Sequence, residues 1–323
     1  MKKSVSLHSA ELEKIRKEVS KAVVGQEQVL NSVLRGLLCD GHVLLEGVPG
    51  IAKTLLLTTL AKTVDCDFNR IQFTPDLLPS DLIGLTTYSK EKGFEVVKGP
   101  VFTNFVLADE INRAPPKVQS ALLESMQERQ VSIGRKTFTL DRPFLVMATQ
   151  NPIESLGTYP LPQAQIDRFL FKVNMGYPTA EEEKQIVDQN ITIRKMEDFA
   201  VRKVLSKQKV LEMQEDTKKV YASPEVKEYI VRIVEATRDP RKYGIRNGKY
   251  IEYGASPRAS IGLYIASKAE AILKGSSFVT PQFVKTVAVD VMRHRLLLNY
   301  EGQAEGVKTE DIIAEVLSRV PVK

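Results

Sequence analysis

Short apolar runs and helical periodicities alternate along the first half of the chain. Runs that suit strands buried on both faces of a parallel sheet lie at His42–Leu45, Ile71–Phe73, Phe105–Ala108, Phe144–Ala148 and Phe169–Val173. Helical stretches such as Lys53–Thr63 and Pro116–Glu128 separate them, and two amphipathic helices up to Leu38 come before the first run. This alternation predicts an α/β fold with a doubly wound parallel sheet.

Two segments interrupt the alternation with a hairpin pattern. Thr86–Tyr88 and Phe94–Val97 flank the turn-rich stretch SKEKG, and Val131–Ile133 and Thr137–Leu140 flank GRK. Hairpins added to an α/β layer often project from it and carry function. We therefore expect two β-hairpin inserts in the sheet domain.

The second half of the chain has a different texture. Beyond about Pro178 the strand patterns mostly end, and helical periodicity is present near residues 180–191, 204–214, 224–237, 258–273, 281–298 and 307–319. We expect two domains, an α/β domain over residues 1–177 and a smaller all-α domain over 178–323. The glycine-rich, charged stretch 239–258 is expected to be a long exposed loop.

Composition excludes several classes of protein. The 323 residues are 43% apolar and 27% charged, as in ordinary globular proteins, and two cysteines with three scattered histidines offer neither a disulfide framework nor a zinc module. A net charge of +6 suits a partner with phosphates, but the basic residues are dispersed among acidic ones, so a solvated surface explains them as well. No run approaches the ~20 apolar residues that span a bilayer, and we expect a cytoplasmic protein without membrane insertion.

A phosphate-binding loop is the strongest local signal. The segment Gly47–Thr54, GVPGIAKT, follows a predicted strand and opens a helix, so backbone N–H groups and the helix N-terminus can hold phosphates. Lys53 is expected to reach the β- and γ-phosphates, and the Thr54 hydroxyl to bind Mg²⁺. Ala52 stands where a third glycine is usual, and its additional methyl group is compatible with the loop if Ala52 keeps a negative φ.

A pair of carboxylates gives the second signal. Asp109 and Glu110 end the apolar strand Phe105–Ala108, about 55 residues after Lys53. Asp109 can hold a Mg²⁺-bound water there, and Glu110 can accept a proton from an attacking water. The two signals together predict Mg²⁺-dependent hydrolysis of a nucleoside triphosphate.

Three further polar residues fit this chemistry less specifically. Asn151 ends the next strand and can orient the attacking water, or it caps a turn before proline. Arg168 can place positive charge on a γ-phosphate, or it forms a local ion pair with Asp167, or it is a surface charge. Arg258 starts a predicted helix, where an anion should compensate its charge, either a bound phosphate or a nearby acid.

These motifs resemble those of the MoxR-type AAA+ ATPases along nearly the whole chain. The most similar stretch is LADEINRAPPKVQSALLESMQERQV around Asp109. The loop GVPGIAKT also resembles the phosphate loop of that family, in which alanine before the lysine is usual. The resemblance implies a P-loop AAA+ core with hairpin inserts and an all-α lid. It implies that ATP is held by the adenine-side pair Val24 and Gly25, the loop residues Gly47, Val48, Pro49, Gly50, Ile51, Ala52, Lys53, Thr54 and Leu55, and Arg258.

The resemblance also implies roles and partners. Asn151 would be sensor 1, Arg258 sensor 2, and Arg168 the arginine finger supplied to a neighbouring subunit, with Arg113 as the other candidate for the finger. Thr54 and Asp109 would hold Mg²⁺ and Glu110 would be the base. The expected assembly is a homo-oligomer, a hexameric ring, and the expected partners are proteins with a von Willebrand factor A domain. The expected function is chaperone-like remodelling, maturation or metal insertion of these partner proteins.

Two other functions remain open from the residues. A DNA motor of related architecture would place basic residues on the hairpins, and Lys90, Lys92, Arg135 and Lys136 supply some. Against it, no nucleic-acid module and little aromatic stacking are present. A nucleotide switch without hydrolysis is the second alternative, and the presence of Glu110 and Asn151 argues against it.

Overall fold

The computed structural model describes residues 2–48, 50–91, 93–151, 157–189 and 199–322. The chain divides into two compact units. The α/β unit contains Glu13–Phe169 and Val173–Glu212, and the helical unit contains Met1–Leu12, Leu170–Lys172 and Met213–Lys323. Residues 173–212 thus group with the sheet in this division, and the domain boundary after residue 177 stays a prediction.

A parallel sheet forms the centre of the α/β unit. In the described residues its strands are β1 (Val43–Gly47), β2 (Phe68–Gln72), β5 (Phe105–Asp109), β8 (Leu145–Gln150) and β9 (Phe171–Met175), in the order β2-β5-β8-β1-β9. The pairs β2–β5, β5–β8 and β1–β8 are parallel, and all five strands overlap the predicted apolar runs. The parallel, doubly wound sheet is therefore confirmed, and the carboxyl ends of its inner strands meet at one edge.

Helices on the sheet complete the core of this unit. They are α2 (Glu27–Leu38), α3 (Lys53–Thr63), α4 (Pro79–Ile83), α5 (Pro116–Glu128), α6 (Gln163–Ile166) and α7 (Ala180–Gln189). Helix α1 (Lys2–Val19) has residues in both units. In α5, Val118, Leu122 and Met126 recur at helical spacing and are buried with Val106 and Phe144 of the sheet layer. Burying each such side chain contributes about 1.5–3 kcal/mol, which fixes the helices on the sheet.

Both predicted hairpins are present. Strands β3 (Gly84–Ser89) and β4 (Gly93–Lys98) pair antiparallel, as do β6 (Gln130–Ile133) and β7 (Lys136–Thr139). In the first hairpin, Tyr88 lies opposite Phe94, and both rings are largely exposed. The hairpins stand outside the parallel sheet, as the sequence predicts for inserts.

The helical unit follows the predicted periodicities with two corrections. Its helices are α8 (Lys207–Lys219, mostly in this unit), α9 (Pro224–Arg238), α10 (Pro257–Leu273), α11 (Pro281–Met292), α12 (Tyr300–Ala304) and α13 (Thr309–Arg319). The expected helix to residue 298 is wrong at its end, because α11 stops at Met292 and Leu297–Leu298 forms a short strand, β11. That strand pairs antiparallel with β10 (Ile251–Tyr253), so the lid is helical with one small strand pair.

The stretch 239–258 is not the exposed loop that its composition predicts. It forms two 3₁₀ turns, Pro240–Tyr243 and Arg246–Tyr250, followed by β10. Ile245 and Tyr250 are buried, and the Glu315 carboxylate accepts hydrogen bonds from the backbone N–H groups of Arg246 and Asn247. Apolar side chains spaced among the charges anchor this segment. Among the described residues, no helix combines the length and apolar composition needed to cross a membrane.

Candidate functional site

The phosphate loop lies between a strand and a helix as predicted, but the φ angle of Ala52 differs from the sign that its residue type favours. Strand β1 ends at Gly47 and α3 begins at Lys53, with Gly50 at φ +84° between them. Ala52 precedes the helix at φ +61°, in the left-handed region, so the loop forms here without the negative φ that was its expected condition. Its carbonyl nevertheless accepts the first helical hydrogen bond, from Leu56 N–H at 2.9 Å. The loop therefore has a glycine-like turn at an alanine.

Gly47 is required by close packing at the end of β1. A Cβ atom there would lie 2.5 Å from the carbonyl oxygen of Met175 and 2.9 Å from Ile51. Backbone cannot give way at that distance, so no larger residue fits without moving the loop. This contact fixes where the loop leaves the sheet.

Lys53 lies within a group of acidic side chains. Its ammonium group donates a short hydrogen bond to the Gly47 carbonyl oxygen. Partial burial lowers the pKa of Lys53 from its ordinary value, while the negative charges of Asp109, Glu110 and Glu46 act in the opposite direction. Lys53 thus places a positive charge beside these carboxylates, at the start of an 11-residue helix.

Asp109 ends β5 with both carboxylate oxygens engaged. Its Oδ1 accepts a hydrogen bond from the Thr149 hydroxyl at 2.7 Å. Its Oδ2 accepts two from Arg70, from Nη2 at 2.6 Å and from Nε at 3.1 Å. The carboxylate is therefore oriented from two neighbouring strands, β8 and β2.

Glu110 follows in a backbone conformation that is rare for its residue type. Its φ is +57°, and its backbone N–H donates to the Thr149 hydroxyl oxygen at 2.8 Å. Its Oε2 accepts a hydrogen bond from the Gln72 side-chain amide at 2.8 Å and pairs with Arg113 Nε at 3.3 Å. Left-handed backbone at a residue other than glycine costs about 1–3 kcal/mol and concentrates at functional sites.

One cavity of about 380 Å³ brings most of these groups together. Its lining residues are Gly50, Ala52, Lys53, Thr54, Leu55, Arg70, Asp109, Glu110 and Asn151. Asn151 directly follows β8 and is buried. The start of α3 therefore faces the ends of β5 and β8 across a space that joins cationic, hydroxyl, carboxylate and amide groups.

The remaining predicted residues are placed around this cavity or outside it. Val48 and Ile51 belong to the same loop but do not line the cavity, and Pro49 lies outside the described residues. Gly25 has φ +75° and abuts the Glu182 carboxylate, with Val24 beside it in the chain. The next residue, Gln26, donates to the Gly176 carbonyl oxygen at 3.4 Å. Since Met175 contacts Gly47, this segment lies near the root of the phosphate loop.

The two distal arginines do not belong to the cavity lining in the described chain. Arg168 lies three residues before β9 and is partly exposed, and its backbone N–H donates to the Gln165 carbonyl oxygen at 3.2 Å. Arg258 belongs to the helical unit, where its backbone N–H donates to the Ser256 hydroxyl at the start of α10. The roles of both residues stay predictions.

Comparison with known proteins gives the family. Residues 42–171 match the family AAA_3, described as ATPase family associated with various cellular activities, and residues 244–316 match the AAA lid domain. The chain is 50% identical to Chaperone MoxR1 of Mycobacterium tuberculosis, over 96% of this chain and 81% of the relative. It is 32% identical to Protein MoxR of Paracoccus denitrificans, over 93% of both chains. The chain belongs to the MoxR family of AAA+ ATPases.

A solved structure extends this agreement to the fold. A crystal structure of a Cytophaga hutchinsonii protein assigned as an ATPase has a TM-score of 0.92 and 50% identity, covering 99% of this chain and 97% of that one. The predicted family, the AAA+ fold with its helical lid, and ATP hydrolysis are thus confirmed. AAA+ ATPases bind nucleotide and generally oligomerise into rings.

Three residues of the site were not predicted from the sequence motifs. Arg70 and Gln72 lie on β2, and Thr149 lies on β8 next to the carboxylates. The register places Gln72 opposite Asp109, so residues at the end of β2 face the end of β5. Arg70 and Gln72 stand two positions apart in FNRIQ and therefore share one face of the strand, which was the available signal.

Proposed function

We propose that this AAA+ ATPase binds Mg²⁺–ATP in the cavity and hydrolyses it there to ADP and phosphate. The N–H groups of the loop and the start of α3, with Lys53, hold the phosphates. Glu110 accepts the proton of the attacking water, and Asn151 orients that water. The single observation that supports these roles is the cavity itself, which is lined by Lys53, Glu110 and Asn151 together.

The same cavity suits a magnesium ion. Thr54 and Asp109 both line it and offer the hard oxygen donors that Mg²⁺ prefers, and Mg²⁺ sites need only one or two protein ligands beside water and phosphate. Within the described residues no group of three or more acidic, histidine or cysteine side chains forms a metal cage. When bound, the ion would neutralise charge that develops on the phosphate oxygens.

The remaining nucleotide contacts complete the proposal. Val24 and Gly25 would flank the adenine, and the loop from Gly47 through Val48, Pro49, Gly50, Ile51, Ala52 and Thr54 to Leu55 would surround the phosphates. Arg258 would sense the γ-phosphate from the lid. The positive φ angles of Gly50 and Ala52 support the role of the loop in phosphate binding, since such backbone turns N–H groups toward a ligand.

Arg168 is proposed as an arginine finger that acts on a neighbouring subunit of a hexameric ring. Its partial exposure and its absence from the cavity lining of the described chain support action from another subunit. A finger is worth about 10³–10⁵ in turnover, so an isolated subunit should be almost inactive. Arg113 is the weaker candidate, because it already pairs with Glu110 in its own chain.

Complementation between two inactive variants tests this arrangement. Arg168→Ala subunits keep Glu110, and Glu110→Gln subunits keep Arg168, so a mixed ring should regain ATPase activity that neither variant has alone. If Arg168 acts within its own chain, mixing restores nothing. A ring of six subunits, measured by mass photometry in the presence of ATP, is the expected assembly.

The energy of hydrolysis is proposed to remodel a protein partner. The 50% identical relative named a chaperone supports this, and so do the exposed Tyr88 and Phe94 rings, 5.1 Å apart on the first hairpin. Exposed aromatic pairs suit contact with protein. The proposed partner carries a von Willebrand factor A domain, and its maturation or metal insertion would be the outcome.

Capture of the partner tests the remodelling role. The Glu110→Gln protein with ATP should retain a partner protein, and adding Tyr88→Ser with Phe94→Ser should release it. Thr87→Ser on the same hairpin is the matched control and should retain it. Recovery of nucleic acid alone, together with salt-sensitive stimulation of the ATPase by DNA, would identify a DNA motor instead.

A further inference from the structure

Arg70 is a cavity residue whose charge the proposed reaction does not use. It lines the same cavity as Lys53 and Thr54, and its side chain is 49% exposed, whereas that of its partner Asp109 is 15% exposed. The Nη2 and Nε atoms of Arg70 both bond to Asp109 Oδ2, at 2.6 and 3.1 Å. A charge-assisted pair of this kind is stronger than a bond between neutral groups.

The bonds to Asp109 leave little acceptor capacity for a metal. A carboxylate offers about four lone-pair sites. Arg70 occupies Oδ2 with two N–H groups, and the Thr149 hydroxyl occupies one site of Oδ1. A cation or its water that binds Oδ2 of Asp109 would therefore have to displace Arg70.

A second acceptor is already in place for the guanidinium. Arg70 Nη2 also donates to Gln72 Oε1 at 2.9 Å, and the amide of Gln72 donates to Glu110. Arg70 can thus leave Asp109 and remain held at the cavity wall. Its charge there still attracts an anion such as a phosphate.

We propose that Arg70 is a positioning residue that competes with the divalent cation for Asp109, and so makes nucleotide binding less dependent on Mg²⁺. The proposal rests on the nucleotide site described above. Two consequences of opposite sign follow from one positive charge. Arg70 favours the phosphates of metal-free ATP, and it opposes the metal at Asp109.

Nucleotide affinity with and without metal tests this competition. The dissociation constant of ATP is measured by calorimetry in excess EDTA and in saturating Mg²⁺, for the full-length wild type and Arg70→Met. We expect the ratio of the EDTA value to the Mg²⁺ value to rise by roughly two- to fivefold in Arg70→Met, the scale of one partly exposed charge pair. Mn²⁺ in place of Mg²⁺ should give the same direction.

Arg142→Met is the matched control. Arg142 is 46% exposed and pairs with Asp40 at 3.3 Å, outside the cavity lining. The ratio of the ATP dissociation constants in EDTA and in Mg²⁺ should be the same for Arg142→Met as for the wild type. Arg70→Lys keeps the charge but loses the pair of N–H donors, so its ratio should lie between those of the wild type and Arg70→Met. A melting temperature without nucleotide checks that each variant is folded, and Arg70→Lys carries the test if Arg70→Met is not.

The outcomes separate this proposal from the one before it. An unchanged or smaller ratio in a folded Arg70 variant overturns the competition and leaves the nucleotide site standing. No ATP binding by the wild type in either condition overturns the nucleotide site itself.

Discussion

The hydroxyl of Thr149 donates a hydrogen bond to Asp109 Oδ1 over 2.7 Å. The same hydroxyl oxygen accepts the backbone N–H of Glu110 at 2.8 Å. Thr149 is buried in β8, whose register holds it beside β5. One side chain on a neighbouring strand therefore fixes the side chain of one catalytic candidate and the backbone of the next.

Replacing this hydroxyl by a methyl group should damage both stability and turnover. In Thr149→Val the Glu110 N–H loses its acceptor, which costs about 1–3 kcal/mol of unfolding free energy, and Asp109 loses a donor. We expect the ATPase rate to fall by roughly tenfold, in line with loss of one positioned contact of about 1.4 kcal/mol. Thr149→Ser keeps the hydroxyl and should retain both. A Val variant with wild-type turnover would contradict this role.

The left-handed backbone at Ala52 predicts a stabilising substitution. An L-residue pays about 1–2 kcal/mol in this region, and glycine pays about 0.5–1 kcal/mol in entropy elsewhere. Ala52→Gly should therefore raise the unfolding free energy by about 0.5–1 kcal/mol, measured by urea denaturation. Ala61→Gly, in ordinary helical backbone of the same helix, should lower it by about 1 kcal/mol. Loss of stability in Ala52→Gly would disprove the strain.

His42 at the start of β1 predicts acid sensitivity of the α/β unit. Its Nδ1 accepts the Val146 N–H at 3.0 Å and its Nε2 lies 3.1 Å from the Met126 carbonyl oxygen, so the ring is bound in its neutral form. Burial, and then the charge of Arg129, lower the pKa of His42 to about 3. The unfolded chain therefore binds the additional proton between pH 6.5 and about 3, and stability rises with pH across that window.

The dependence of the unfolding free energy on pH is measured by urea denaturation at pH 6.5 and 4.5. His42 alone should lower the unfolding free energy of the wild type by about 2.3 kcal/mol between pH 6.5 and 4.5, and His42→Gln should lack this loss although it is less stable at pH 6.5. Parallel pH profiles for the two proteins would show that His42 is not held neutral.

The sequence predicted most of this fold because its apolar runs and helical periods are long and uninterrupted. Helices α3 and α5 begin and end where their patterns do, and the five sheet strands differ from the apolar runs by a few residues. Stretch 239–258 was misjudged because its charges and glycines hide Ile245 and Tyr250, whose burial depends on distant segments. Local composition carries no information about such contacts.

The candidate site was predictable only where one segment supplies it. The loop around Lys53 and the pair Asp109 and Glu110 each occupy consecutive positions, so motif and context suffice. Arg70 and Thr149 reach Asp109 through strand order and register, which β2-β5-β8 adjacency decides. The sign of φ at Ala52 depends on how the loop closes on β1, and residue type alone favours the opposite sign.

ATP binding by Lys53→Ala tests the central claim most directly. The ammonium group is proposed to make charge-assisted contacts with the phosphates, so its loss should weaken ATP affinity about 10- to 100-fold and reduce phosphate release to background. Lys62→Ala, an exposed lysine on the same helix, should match the wild type. A Lys53→Ala protein that binds ATP and releases phosphate as Lys62→Ala does would contradict the account.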